Sequence, residues 1–204
     1  MTFKLFDRLP DGVTVDGRFY KCDFDFRNVL KMLEIMRRDD LEFAARDYHC
    51  AKCVFRGHLP LSRAAKVYSA ICSVLFEKTP ENDGKRVMSF EQDAPLIRAA
   101  FRQTYQIDLF REKLTWFEFT ELLHALPEGN RFSEVVGIRA RPLPAPTKWN
   151  GKEREALMKA KQTVALHLDE KEREKKYEAD VARIFDGLFA WAEAQKKEVN
   201  DVGK

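Results

Sequence analysis

Near the N-terminus, apolar and polar residues alternate, as in a β-strand. Further along, apolar residues recur every three or four positions, as in an α-helix. Val13 and Val15 alternate with polar residues, and Asp16-Gly17 is the dipeptide that a type I′ turn favours. Residues 19–24 then return as the partner strand. A two-stranded hairpin is marginally stable by itself, so we expect it to pack on another element.

Beyond the hairpin, apolar residues recur every three or four positions, which predicts a series of amphipathic helices. Asp25 can cap the first helix, residues 40–55 repeat the pattern, and Ser62 can cap a third helix. The predicted apolar stripes of these three helices are Val29, Leu30, Leu33 and Met36; Leu41, Phe43, Ala44, Tyr48 and Ala51; and Ala65, Tyr68, Ile71, Cys72 and Leu75. Residues 79–85 contain Pro, Asn, Asp and Gly and predict a surface loop.

Three more helices follow this loop. Ser89 has Gln92 three residues downstream, a capping pattern that predicts a helix beginning at Ser89. Its predicted buried face is Phe90, Ala94, Ile97, Phe101 and Tyr105. Residues 116–126 carry large apolar groups on nearly every side, which indicates a central, buried helix. A short helix over residues 132–138 completes the compact part.

A Pro-rich segment divides the chain. Proline occupies positions 142, 144 and 146, a spacing that favours a stiff, extended spacer. Of the 16 Phe residues, 14 precede it, so the composition changes there. We therefore predict a mainly α protein with a helical domain and N-terminal β-hairpin at residues 1–141, a linker at 142–150 and a helical extension at 151–204. One apolar stripe of the extension is Leu157, Ala160, Val164 and Leu168.

A second apolar stripe near the C-terminus has heptad spacing. Its members follow one another at intervals of 4, 3, 4 and 3, and two phenylalanines widen it; together they are Tyr177, Val181, Ile184, Phe185, Leu188, Phe189 and Trp191. The stripe lasts two heptads, fewer than the three or four of a typical coiled coil. Two interpretations are open: the stripe docks back on the preceding domain, or it binds a partner or a second copy of the chain.

Charge and hydropathy exclude two classes of protein. Lys and Arg number 36 against 33 Asp and Glu, a net charge of +3, which provides no strong field for holding nucleic acid. The longest uncharged stretch, residues 67–76, is far shorter than the roughly 20 residues of a membrane-spanning helix. Four cysteines are ordinary for a reducing compartment. We therefore expect a soluble intracellular protein that binds neither nucleic acid nor membrane.

Few residues suggest chemistry. Cys50 and Cys53 form a Cys-x-x-Cys pair near two histidines, a weak zinc candidate, because no second ligand pair follows downstream. Both cysteines also fit a helical pattern as packed thiols, which is the default interpretation. Nucleophile and phosphate-loop motifs are absent, and His124 is an isolated histidine expected to be an interior residue. We expect no enzyme activity and no cofactor.

The order of several short motifs is more informative than any of them alone. Residues 25–27 (Asp-Phe-Arg) open the first helix, residues 89–93 read Ser-Phe-Glu-Gln-Asp, residues 114–119 read Leu-Thr-Trp-Phe-Glu-Phe, and Ile138-Arg139 follow. In this order, over roughly residues 8–145, the chain resembles the bacteriophage gene-product-fifteen family of siphophages and prophages of Gram-positive bacteria.

The resemblance implies a tail assembly chaperone acting in the host bacterial cytoplasm. Such a chaperone binds the helical tape-measure protein, keeps it soluble and releases it as tail tube protein polymerises. Many copies along one client, joined as a homo-oligomer, would bind by avidity. The family contributes no catalytic residues. Two alternatives remain: a structural tail or connector component retained in the virion, and a zinc-binding or nucleic-acid-binding regulator.

Overall fold

The computed structural model describes residues 7–76 and 86–167, and in these residues the protein is mainly helical with one small hairpin. The hairpin strands are β1 (Gly12–Val15) and β2 (Arg18–Lys21). The helices are α1 (Phe26–Met36), α2 (Phe43–Val54), α3 (Leu61–Leu75), α4 (Ala94–Tyr105), α5 (Trp116–His124), α6 (Arg131–Ala140) and α7 (Gly151–Thr163). The predicted fold class is confirmed. The loop predicted at residues 79–85 lies outside the described residues.

The hairpin has the predicted turn. Val15 pairs with Arg18 across a two-residue loop, and Asp16 and Gly17 both have positive φ, 50° and 73°. This is the backbone of a type I′ turn, whose twist matches that of the two strands. Val13 and Tyr20 point into the core, and β1 packs on α3. The hairpin is thus supported by a helix, as its small size requires.

Helix α1 begins where the sequence predicts, and its buried side differs from the predicted stripe mainly at one end. The Asp25 carboxylate accepts a hydrogen bond from the backbone N–H of Arg27 at 2.9 Å, which confirms the cap. The side chains that α1 buries are Phe26, Val29 and Met32, while the predicted Met36 is exposed. The predicted Leu30 and Leu33 are half-buried against the core, while α1 contacts both α2 and α5.

Helices α2 and α3 also differ in detail from the predicted pattern. Phe43, predicted to be buried, begins α2 with 75% of its surface exposed. Ser62 lies inside the first turn of α3, because Pro60 is the residue that precedes the helix and makes no side-chain cap. The buried face of α3 is Ala64, Val67, Ile71 and Leu75. Packing against α2 and the hairpin selects this face from the two apolar faces that α3 offers.

Helix α4 begins five residues after the predicted start. Ser89 does cap a local structure, since its Oγ accepts a hydrogen bond from Gln92 N–H at 3.3 Å. Residues 90–93, however, form a turn, and the helix starts at Ala94. Pro95 explains the difference, because proline has no N–H to donate and is favourable only in the first turn of a helix.

Helix α5 is the central, buried helix that the sequence predicts. Thr115 and Glu118 form a capping box at its start, with reciprocal hydrogen bonds of 3.3 and 2.8 Å. The helix buries four of its residues: Trp116, Phe117, Phe119 and Leu123. His124 is its last residue and is solvent-exposed, so the expectation of an interior histidine was wrong. It occupies the last turn, where the chain leaves the core.

Helix α7 packs against α6 although the Pro-rich segment separates them. The Lys161 ammonium group donates to the Arg139 carbonyl at 2.7 Å, and the Arg139 Nε donates to the Val164 carbonyl at 2.5 Å. The first compact unit of the chain extends to Val164, and a second begins at Ala165. The division at residues 142–150 stays a prediction, but helix α7 beyond it belongs to the first unit.

Candidate protein-binding site

The starts of α1 and α5 lie side by side, held by the backbone. Phe26 N–H donates to the Leu114 carbonyl at 3.1 Å, and Trp116 N–H donates to the Phe24 carbonyl at 2.7 Å. This short antiparallel bridge brings together the first and third sequence motifs. As a result the rings of Phe26 and Phe119 stack with their centroids 4.6 Å apart.

Arg27 fixes the loop that leads into α5. Its guanidinium group pairs with Asp25 at 3.0 Å and donates to the carbonyls of Leu109 and Glu112 at 3.0 and 2.5 Å. The loop is therefore anchored by a side chain of α1, more than 80 residues earlier in the chain. One terminal nitrogen of Arg27 binds Asp25 and the other binds the two loop carbonyls, so its role is to hold backbone in place.

The second and fourth motifs are joined by an ion pair. Arg139 of α6 binds the Asp93 carboxylate with two hydrogen bonds, at 2.7 and 3.0 Å, and only 3% of the Asp93 side chain is exposed. The same carboxylate accepts from Ser89 N–H at 2.9 Å, and Arg139 also donates to the Val87 carbonyl at 3.2 Å. This bidentate geometry is the strong form of the Arg–carboxylate interaction. It attaches the residue 89–93 turn to α6.

An apolar pocket of about 190 Å³ opens between α1, α4 and the loop before α5. Apolar side chains form most of its wall, and two arginines lie at its edge; the lining residues are Phe26, Arg27, Leu30, Phe90, Ala94, Ile97, Arg98, Leu109, Phe110 and Phe119. An engineered cavity of about 150 Å³ admits benzene, so this pocket has room for one large apolar side chain.

Phe110 forms an exposed edge of the pocket. It is 70% exposed, and the Arg98 guanidinium lies over its ring, 4.9 Å from the ring centre. Phe110 N–H donates to the Asp108 carboxylate at 3.0 Å, and Arg102 pairs with the same carboxylate at 3.1 Å. The hydrogen bond from Phe110, followed by the nearby arginines, lowers the pKa of Asp108 below its usual value. A large apolar group is thus held at the surface by a defined local structure.

The predicted metal candidates occupy a different part of the molecule. Cys50 is buried in α2, and burial raises the pKa of its thiol to about 11. Burial also raises the pKa of the half-buried Cys53. Because the thiolate is the metal-binding form, a raised pKa opposes coordination. Within residues 7–76 and 86–167, no three His, Cys, Asp or Glu side chains form a cluster that could hold a metal ion.

The residues predicted to bind a partner, Tyr177 through Trp191, lie outside the described residues. The pocket was missed because its members come from four separate segments of the chain. The sequence indicated one member of the pocket. Phe110 stands between Leu109 and Arg111 in a stretch without helical periodicity, and a phenylalanine in such a stretch is a candidate surface group. No described helix is long and apolar enough to span a bilayer.

These features define a small, mainly helical protein whose described surface carries an apolar pocket edged by arginines. The family model described as Bacteriophage Gp15 protein matches residues 5–166, about four fifths of the chain. The chain therefore belongs to the bacteriophage Gp15 family, and this identifies a phage protein with a structural or assembly role. No curated protein and no solved structure matches it significantly.

Proposed function

We propose that this protein is a non-enzymatic tail assembly chaperone that binds the tape-measure protein in the host cytoplasm. The observation that carries the proposal is the pocket at Phe110, which lies within the region matched by the family. A chaperone for a long amphipathic helix needs a preformed apolar site on a stable helical body. The stacked Phe26 and Phe119 rings and the anchored loop supply such a body.

The proposal requires neither cofactor nor catalytic group. Its partners are the tape-measure protein, tail tube protein during hand-over, and further copies of this chain. Each copy would bind weakly, while many copies along one client would bind strongly by avidity. An exposed apolar surface in an assembly protein can serve to bind a client, and the surface is then covered only when the client is present.

Co-expression with the tape-measure protein encoded by the same phage tests the proposal. We expect a soluble complex with several copies of the chain per client, measured by affinity capture and size-exclusion light scattering, whereas the client alone precipitates. The control is expression of each protein alone. An insoluble client with no co-purified chaperone would contradict the proposal. Mass spectrometry of purified virions then separates the alternative, because a virion component would be present in stoichiometric amounts.

The heptad stripe near the C-terminus can be tested in the same system. The substitutions Leu188→Asp and Trp191→Asp place charges on the stripe, and Ala182→Asp places the same charge between its members. If the stripe joins copies or binds the client, the first two variants lose copies per complex and the third does not. Equal stoichiometry for all three would remove the stripe from the mechanism.

A further inference from the structure

We propose that the pocket between α1 and α4 binds one large apolar side chain of an amphipathic, acidic helix of the tape-measure protein, and that Arg98 binds a carboxylate beside it. This inference rests on the proposed function and assigns it a site. The pocket combines a cavity of side-chain size with Arg98, whose guanidinium group lies over the Phe110 ring.

The shape matches a single inserted side chain. The pocket measures about 190 Å³ and is walled by aromatic rings and aliphatic groups. Phe26 and Phe119 stack behind it, and Phe90 lies 6.1 Å from Phe119, centroid to centroid. Ring edges and faces of this kind favour an aromatic or branched aliphatic guest. Such anchors are the residues through which a helix docks in a groove.

Contacts within the protein hold the walls of the pocket in place. Arg27 ties the loop at Leu109 and Glu112 to α1, and Asp108 holds the Phe110 backbone. The opposite wall is fixed because α4 packs on both α5 and α6. A site that is already ordered loses little conformational entropy when it is occupied, so a small contact area can still bind.

The charge at the edge selects an acidic partner. Arg27 is neutralised by Asp25, at 3.0 Å. Arg98, in contrast, has no ion pair with a carboxylate among residues 7–76 and 86–167, and its guanidinium rests on the Phe110 ring. A guanidinium group binds a carboxylate through two parallel hydrogen bonds. On a helix, a Glu or Asp three or four residues from the apolar anchor lies roughly 5–6 Å from it, beside the pocket.

Filling the pocket tests the apolar contact. Ala94 lines the pocket and Ala99 is exposed elsewhere on the same helix, so Ala94→Leu and Ala99→Leu are matched substitutions. In the full chain, co-expressed with the tape-measure protein, we expect Ala94→Leu to reduce client capture by about tenfold, the loss typical of a central interface residue. Ala99→Leu should capture as much client as the unmodified chain. Thermal unfolding of both variants alone confirms that each is folded.

Reversing the charge tests the acidic partner. Arg98→Glu should reduce capture of the tape-measure protein by about tenfold, and peptides that tile the client identify the bound segment. Replacing an acidic residue of that segment with Lys should then restore binding to Arg98→Glu while weakening binding to the unmodified chain. This exchange of charges cannot be explained by a general loss of folding.

The outcomes separate the inference from the proposed function. If the unmodified chain captures no client, both fail. If the unmodified chain captures client, and Ala94→Leu and Arg98→Glu each capture as much client as it does, the chaperone function stands and the pocket is not its site. If the pocket variants instead change the number of copies of the chain without a client, the occupant is a second copy and the inference is overturned.

Discussion

The four sequence motifs meet at two junctions, and these junctions use opposite chemistry. At the start of α1 and α5 the contact is aromatic, with Phe119 stacked on Phe26 at 4.6 Å and on Phe101 at 5.4 Å. Between the residue 89–93 turn and α6 the contact is ionic, through Asp93 and Arg139. Both junctions are buried, and both connect segments that are distant in sequence.

The difference shows that the two kinds of buried contact contribute differently: one mainly to stability, the other mainly to the specificity of packing. Apolar burial is non-directional and contributes in proportion to area, so the aromatic junction supplies stability. A buried ion pair adds little net stability over an apolar pair, yet the loss of one partner leaves an uncompensated charge. The Asp93–Arg139 pair therefore mainly disfavours other ways of packing the turn on α6. In any other register, one of the two charges would be buried without its partner.

Removing the centre of the aromatic junction should have the largest effect. Phe119 is buried and contacts four other rings, so Phe119→Ala is expected to lower the free energy of unfolding by about 4 kcal/mol. Urea unfolding followed by tryptophan fluorescence measures it. The matched control is Phe110→Ala, which removes the same side chain from an exposed position and should cost less than about 0.5 kcal/mol. Equal losses of unfolding free energy in the two variants would contradict the difference in burial between Phe119 and Phe110.

Breaking the ionic junction should come second. Only 11% of the Arg139 side chain is exposed in the unmodified protein, so Asp93→Ala leaves a largely buried positive charge without its carboxylate. We expect a loss of about 3 kcal/mol. The double variant Asp93→Leu with Arg139→Met removes both charges and should recover much of this loss. Unfolding of the single and double variants in urea gives the comparison. A double variant as unstable as the single one would show that the pair itself stabilises the fold.

Removing the cap of α5 should have a smaller effect than either core change. Thr115→Ala deletes the side chain that accepts from Glu118 N–H at 3.3 Å, with an expected cost of about 1 kcal/mol. Thr115→Ser keeps the hydroxyl group and should stay close to the unmodified protein. Thermal unfolding of the two variants side by side measures the difference. If serine is as destabilising as alanine, the methyl group rather than the cap is responsible.

The smallest effect concerns the exposed carboxylate that holds Phe110. Since the pKa of Asp108 is lowered in the folded protein, its contribution is complete above the ordinary carboxyl pKa of 3.8 and is lost as pH falls through the lower folded value. We expect the protection of the Phe110 amide proton, measured by NMR relative to its intrinsic exchange rate at the same pH, to fall below that pH, and Asp108→Asn to remove this pH dependence. An unchanged profile in Asp108→Asn would assign it to another group.

Local sequence patterns predicted where the helices lie better than they predicted which side of each helix is buried. The start of α1 at Asp25 and the burial of α5 follow from neighbouring residues, and both are confirmed. The start of α4 was placed too early, although Pro95 carried the necessary information. The buried faces of α1 and α3 were wrong in part because each helix offers apolar groups on two sides, and periodicity alone does not choose between them.

The candidate site was the least predictable part, and the reason is its assembly from distant segments. The pocket combines residues of α1, of the turn and helix α4, of the loop before α5 and of α5 itself, so no single stretch of sequence displays it. The heptad stripe, which the sequence does display, lies outside the described residues and stays a prediction.

By itself, the sequence determined the hairpin turn, the approximate place of the described helices, and the resemblance that the family match confirmed. These depend on backbone preferences and periodicity over a few residues. Tertiary structure alone decided that Asp93 meets Arg139, and that Arg98 lines an apolar pocket with no carboxylate partner among the described residues. Such facts depend on contacts between residues far apart in the chain, and those contacts exist only after packing has selected which helix faces are buried.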